Sequence, residues 1–128
     1  MEQNFYIETY GCSANKSDSE IISGLLLGAG LNPVGKPELA DLIIINTCIV
    51  KHLTENKVLG RIKEFEEKFP KKKLLISGCM PEAYPEFVKG KNLISTHRIT
   101  EILKIVSKIF DNKKAELLGN VKKEKICL

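Results

Sequence analysis

Asp41-Leu42-Ile43-Ile44-Ile45-Asn46-Thr47-Cys48 is the stretch whose reading decides the fold. Four apolar residues in a row, three of them β-branched, fit a strand buried on both faces, and such strands lie in the middle of parallel sheets. The run stops at the polar pair Asn46-Thr47 and then presents a cysteine. Cys48 is therefore expected just past the carboxyl end of a central strand, the edge where open α/β sheets bind ligands. The arrangement occurs twice more. Phe5-Tyr6-Ile7-Glu8-Thr9-Tyr10 runs into Gly11-Cys12, and Leu74-Leu75-Ile76-Ser77 runs into Gly78-Cys79.

The segments between these strands have helical periodicity. Ser17-Asp18-Ser19-Glu20 has capping-box spacing, after a loop at 11–16. The helix behind it carries Ile21, Ile22, Leu25, Leu26 and Ala29 on one broad face, with Gly30 as its stop. Residues 31–34, which include Pro33, read as a short strand at a sheet edge. One helical turn at 37–40 leads into the central strand. Val58, Ile62, Phe65 and Phe69 form the stripe of a second helix over about 54–69, and Pro70 ends it. Residues 73–77 and 92–95 read as strands, and Pro81 opens a short helix that finishes near Gly90. A last helix over 98–111 carries Ile99, Ile102, Leu103, Val106, Ile109 and Phe110. From Asn112 onward the pattern fades into charges, a linker or an edge extension.

This order predicts an α/β fold: a doubly wound, flavodoxin/Rossmann-like, mostly parallel five-stranded sheet with helices on both faces. Right-handed crossovers put all strand carboxyl ends on one edge. In a 2-1-3-4-5 order, Cys12, Cys48 and Cys79 follow neighbouring strands and fall within about 5–10 Å of each other.

The 128 residues are enough for one domain with a sizeable core, and 43% hydrophobic content is ordinary for a globular protein. No stretch reaches the length of a membrane span, and the amino terminus lacks the pattern of a signal peptide, so the expected location is the cytoplasm, without a membrane partner. The net charge of +4 reads mainly as solvated surface. With 6% aromatic residues and no Trp, there is little from which to build a stacking platform for independent RNA binding.

Four cysteines in a cytosolic chain argue for metal or redox chemistry rather than a disulfide framework. Their spacing contains no C-x-x-C, which disfavours a zinc finger. Cysteine is often a small buried hydrophobe, but three at one sheet edge, two of them preceded by Gly, favour thiolates around an iron–sulfur cluster. A three-cysteine zinc site is the weaker metal reading. FMN is the alternative cofactor for this fold, with its phosphate on the first loop; that loop has only Gly11, and Tyr84 is the only later Tyr to cover a flavin. His52 and His97 are the only histidines. His52 reads as a loop or helix-start residue rather than a ligand, and His97 as a surface or capping residue. No Ser/His/Asp set or carboxylate pair suggests a hydrolase.

Three segments, Thr9-Tyr10-Gly11-Cys12-Ser13-Ala14-Asn15-Lys16-Ser17-Asp18-Ser19-Glu20, Ala40-Asp41-Leu42-Ile43-Ile44-Ile45-Asn46-Thr47-Cys48-Ile49-Val50 and Ile76-Ser77-Gly78-Cys79-Met80-Pro81, resemble in order and spacing the N-terminal domain of radical-SAM methylthiotransferases. The resemblance implies that Cys12, Cys48 and Cys79 bind an auxiliary 4Fe–4S cluster that carries or supplies sulfur. Cys127 has no counterpart in the motifs. The family's second 4Fe–4S cluster and S-adenosylmethionine belong to a radical-SAM domain marked by C-x-x-x-C-x-x-C. A small RNA-binding domain commonly follows it.

This chain contains neither, so the expectation is an excised domain: residues 1–112 bind the cluster, and 113–128 link toward an absent radical-SAM domain. Members of the family act on tRNA adenosines beside the anticodon or on a ribosomal-protein aspartate, not on DNA. Ser13-Ala14-Asn15 is similar to the archaeal and eukaryotic branch, which implies threonylcarbamoyladenosine in tRNA as substrate; the alternatives are isopentenyladenosine in tRNA or a ribosomal-protein aspartate as substrate, or a stand-alone metal-binding or flavodoxin-like module.

Overall fold

The central strand β3, Leu42–Thr47, is buried at all six positions, as its apolar run requires. The computed structural model describes residues 3–10, 13–47, 52–78, 91–111 and 116–117. Around β3 it places β1 (Asn4–Thr9), β2 (Asn32–Pro33), β4 (Lys73–Gly78), β5 (Asn92–Ser95) and β6 (Glu116–Leu117). The sheet order is β2-β1-β3-β4-β5-β6, and every pairing is parallel. The expected 2-1-3-4-5 order is present, and a two-residue strand in the stretch read as linker or edge extension pairs with β5. The strand containing Pro33 lies at the edge, where its missing N–H leaves no ladder gap.

Side chains of β3 alternate between two apolar layers. Leu42 and Ile44 face helix α1 (Ser13–Gly28) and helix α3 (Ile102–Phe110), with Phe5, Leu75, Ile94, Ile22 and Leu26. Ile43 and Ile45 face helix α2 (His52–Lys68), with Ile76, Leu93, Val58, Ile62 and Phe65. Helices cover both faces, as doubly wound sheets require. Among the described residues no helix is long and apolar enough to cross a membrane.

Helix α1 ends at a Schellman turn. Leu31 N donates to Leu26 O and Gly30 N to Leu27 O, both at 3.0 Å, with Gly30 at φ +96°. Its start departs from the expectation. The helix begins at Ser13, one turn before Ser17, so Ser17-x-x-Glu20 is an interior spacing rather than a capping box.

The last helix also differs. Thr96–Glu101 is a 3-10 segment, and only from Ile102 is the helix α. That change of pitch puts Ile105 in the core and leaves Leu103 40% exposed, contrary to the expected face. On α1, Ile22 and Leu26 are fully buried while Ile21 is 45% exposed. Helix α2 begins at His52, which is therefore a helix-start residue. The helix expected from Pro81 to Gly90 lies outside the described residues.

Candidate functional site

Cys12, Cys48 and Cys79 lie outside the described residues, as does Cys127. The strand ends that lead to the first three are described, and they are immediate neighbours. Thr9 pairs with Asn46 across β1 and β3, Asn46 with Ser77 across β3 and β4, and Thr47 with Gly78. Cys48 follows Thr47 directly, Cys79 follows Gly78 directly, and Gly11-Cys12 follows Tyr10. Tyr10 N donates to Asn46 O at 2.8 Å, which extends the β1–β3 ladder one residue beyond the strand.

A layer of polar residues caps the apolar core at this edge. On the α1 face the row Ile7–Ile44–Leu75 gives way to Thr9–Asn46–Ser77, since strand side chains on one face recur every second residue. Ser19 of α1 ties two of these strands to the helix. Its hydroxyl is 2.7 Å from Thr9 Oγ1 and accepts from Asn46 Nδ2 at 2.9 Å. On the other face, Thr47 Oγ1 donates to Ser77 O at 2.6 Å. Asn46, Thr47 and Ser77 are all essentially inaccessible to solvent.

Gly78 is where the edge is tightest. Its φ of +96° is a conformation that side-chain-bearing residues rarely adopt. A Cβ placed there would lie 2.2 Å from Thr47 O and 2.9 Å from Asn46 Oδ1. The residue before Cys79 thus has to be glycine.

The opposite face of β1 carries a second polar group. The Glu8 carboxylate accepts from Arg61 Nε at 2.7 Å and Arg61 Nη2 at 3.0 Å. It also accepts from Tyr6 Oη at 2.7 Å and from Tyr10 Oη. Arg61 stacks over the Phe65 ring, 4.2 Å from its centroid, and pairs with Glu64. Burial raises the Glu8 carboxyl, but hydrogen bonds from Arg61, Tyr10 and Tyr6 outweigh burial and hold it below the ordinary carboxylate range. Burial first, and then the bond to Glu8, push the Tyr10 hydroxyl up. This network joins the residue two before Cys12 to the helix that follows Cys48.

Neither Ser19 nor Glu8 and Arg61 stood out in the sequence. One signal was available: Arg61 sits inside the stripe Val58–Ile62–Phe65, and a cation on the buried face of a helix needs a carboxylate partner. A cavity of about 630 Å³ lined by Lys68, Phe69, Lys71, Lys72 and Phe110 lies at the other end of the strands, beside Gln3 and Asp41, and does not touch this edge.

Residues 4–103 match the family described as "Uncharacterized protein family UPF0004". The chain belongs to this family. Relatives of this UPF0004 chain carry more specific names. It is 52% identical over 80 residues to a probable threonylcarbamoyladenosine tRNA methylthiotransferase of Methanothermobacter thermautotrophicus, covering 62% of this chain and 19% of that protein. A threonylcarbamoyladenosine tRNA methylthiotransferase of Xenopus laevis is 35% identical over 122 residues, which is 94% of this chain and 22% of the relative. A tRNA-2-methylthio-N(6)-dimethylallyladenosine synthase of Carboxydothermus hydrogenoformans is 36% identical over 125 residues, 86% of this chain and 27% of the relative. The chain thus spans about a fifth to a quarter of the length of the curated relatives it matches.

Proposed function

We propose that this UPF0004 chain is the auxiliary 4Fe–4S cluster-binding domain of a radical-SAM tRNA methylthiotransferase of the cytoplasm, with Cys12, Cys48 and Cys79 as the cluster ligands. The observation that carries the reading is the register at the sheet edge: three neighbouring strands, paired through Thr9–Asn46 and Thr47–Gly78, each lead into one of the three cysteines. The edge fits such a group. Gly78 leaves no side chain between β4 and Thr47, and the donor set has the thiolate chemistry that iron–sulfur clusters take. When bound, the cluster would supply an iron with no protein ligand, at which sulfur can be held for transfer. Arg61, Glu8 and Ser19 would hold the ligand-bearing segments in place, and the polar layer under them would keep the apolar core closed. The radical-SAM chemistry, with a second cluster and S-adenosylmethionine, would belong to another domain, and residues 113–128 would lead toward it by way of the edge strand Glu116–Leu117.

The substrate we infer is threonylcarbamoyladenosine beside the tRNA anticodon. The names of the archaeal and Xenopus relatives support it, together with the 52% identity to the former. A second reading, dimethylallyladenosine in tRNA, is supported by the Carboxydothermus relative. The test is the full-length enzyme incubated with each tRNA. Methylthiolation of the threonylcarbamoyl nucleoside alone supports the first reading, and of the dimethylallyl nucleoside the second.

A further inference from the structure

Ser77 holds a hydroxyl that the fold does not use. The residue is 0% exposed, and its Oγ is one of two buried side-chain polar atoms among the described residues without a hydrogen-bond partner. Its neighbours in the polar row are engaged: Thr9 and Asn46 both reach Ser19. The bond between Thr47 and residue 77 uses the Ser77 carbonyl, not its hydroxyl. A buried hydroxyl without a partner destabilises a fold, and such a group in a native structure is explained by stored strain, an ordered water, an ion or a redox role. Alanine would fill the same place without that penalty. The hydroxyl lies at the ligand edge, two residues before Cys79 and paired in register with Asn46, two residues before Cys48.

We propose that the Ser77 hydroxyl is a hydrogen-bond donor reserved for a sulfur of the group bound past β1, β3 and β4, and that it tunes that group's reduction potential. The proposal rests on the cluster reading above. Thiolate and sulfide sulfurs are anionic acceptors. A hydrogen bond to them favours the reduced, more negative state, so hydrogen bonds to sulfur are one of the levers that set cluster potentials. Ser77 binds no iron in this account; it acts on the electronics of a group held by others.

The test compares Ser77→Ala with Ser19→Ala in this chain. The apo proteins are unfolded in urea, and the chains reconstituted with iron and sulfide are titrated redox-potentiometrically with EPR detection. Ser19→Ala removes a hydroxyl that bridges β1 and β3, so its apo midpoint falls. Ser77→Ala keeps or raises the apo midpoint, binds wild-type iron, and titrates at a lower potential than wild type. A Ser77→Ala chain with an unmoved apo midpoint that loses iron overturns the tuning role, because the hydroxyl then serves to retain the group rather than to set its potential. A wild-type potential in Ser77→Ala, or an apo midpoint lowered as far as in Ser19→Ala, overturns it. If the wild-type chain takes up no iron, the cluster reading itself fails; iron uptake with an unmoved potential removes the Ser77 role alone.

Discussion

Gly78 lies against Thr47 so closely that a Cβ on it would be 2.2 Å from the Thr47 carbonyl oxygen and 2.7 Å from the Thr47 nitrogen. Two strands that each lead directly into a cysteine are thus held in backbone contact at their last residues. Gly78→Ala adds a methyl group where no space exists, at φ +96°, and is expected to lower stability by about 3 kcal/mol. Gly60→Ala is the control. That glycine is inside α2 with nothing within 4 Å of the added carbon, and the change should raise stability by about 0.5–1 kcal/mol. Urea midpoints of the two variants, moving in opposite directions, check both statements.

The Glu8–Arg61 pair predicts a pH dependence with a definite sign. Glu8 titrates lower in the folded chain than in the unfolded one. Its contribution is therefore fully present above the ordinary Glu value of about 4.3 and is lost as pH falls below it. The stability difference between wild type and Glu8→Gln should be constant from pH 6 to 8 and shrink as the solution is acidified below about pH 4.3. Arg61→Met removes two charge-assisted donors from a carboxylate that is only 15% exposed, at a cost of about 2 kcal/mol near neutral pH. A difference that grows on acidification contradicts this assignment.

Local sequence carried much of this fold because β3 and its neighbours are buried by short-range pattern alone. Leu42–Ile45, the Val58–Ile62–Phe65 stripe and the edge position of Pro33 are where periodicity and proline chemistry put them. The start of α1 was not legible. Ser17 and Glu20 match a capping box, but the helix is positioned there by Ser19, whose partners Thr9 and Asn46 are 10 and 27 residues away. Arg61 and Glu8 are 53 residues apart, beyond any local window. The reassignment of Leu103 and Ile105 follows from a 3-10 segment at 96–101, whose tighter turn rotates the face of the helix after it. The edge that gathers the strand ends preceding the cysteines needed only strand order, which is why that edge was more legible than the polar layer beneath it.

Cys127 separates an open cluster from a closed one. Three cysteine ligands leave one iron free of protein, and an open position is what makes a metal site reactive rather than structural. Cys127→Ser is therefore expected to leave iron content and the visible spectrum of the reconstituted chain unchanged. Loss of iron comparable to that in Cys12→Ala would show a fourth protein ligand and rule out the open-site mechanism.

The chain by itself should be catalytically silent. Activating an unreactive C–H bond needs cofactor chemistry that side chains do not supply, and here that chemistry is assigned to another domain. Liquid-chromatographic analysis of tRNA nucleosides, after incubation with the reconstituted chain and S-adenosylmethionine, is expected to show no methylthiolated product. Product formation would end the reading of this chain as the auxiliary domain.

Anaerobic reconstitution with iron and sulfide, followed by iron analysis of wild type and of Cys12→Ala, Cys48→Ala and Cys79→Ala, tests the central claim most directly. The account predicts a brown wild-type protein with about four irons per chain and a severe loss of iron in each of the three variants. A colourless wild-type chain, a yellow one that takes up FMN instead, or variants that keep wild-type iron would contradict it.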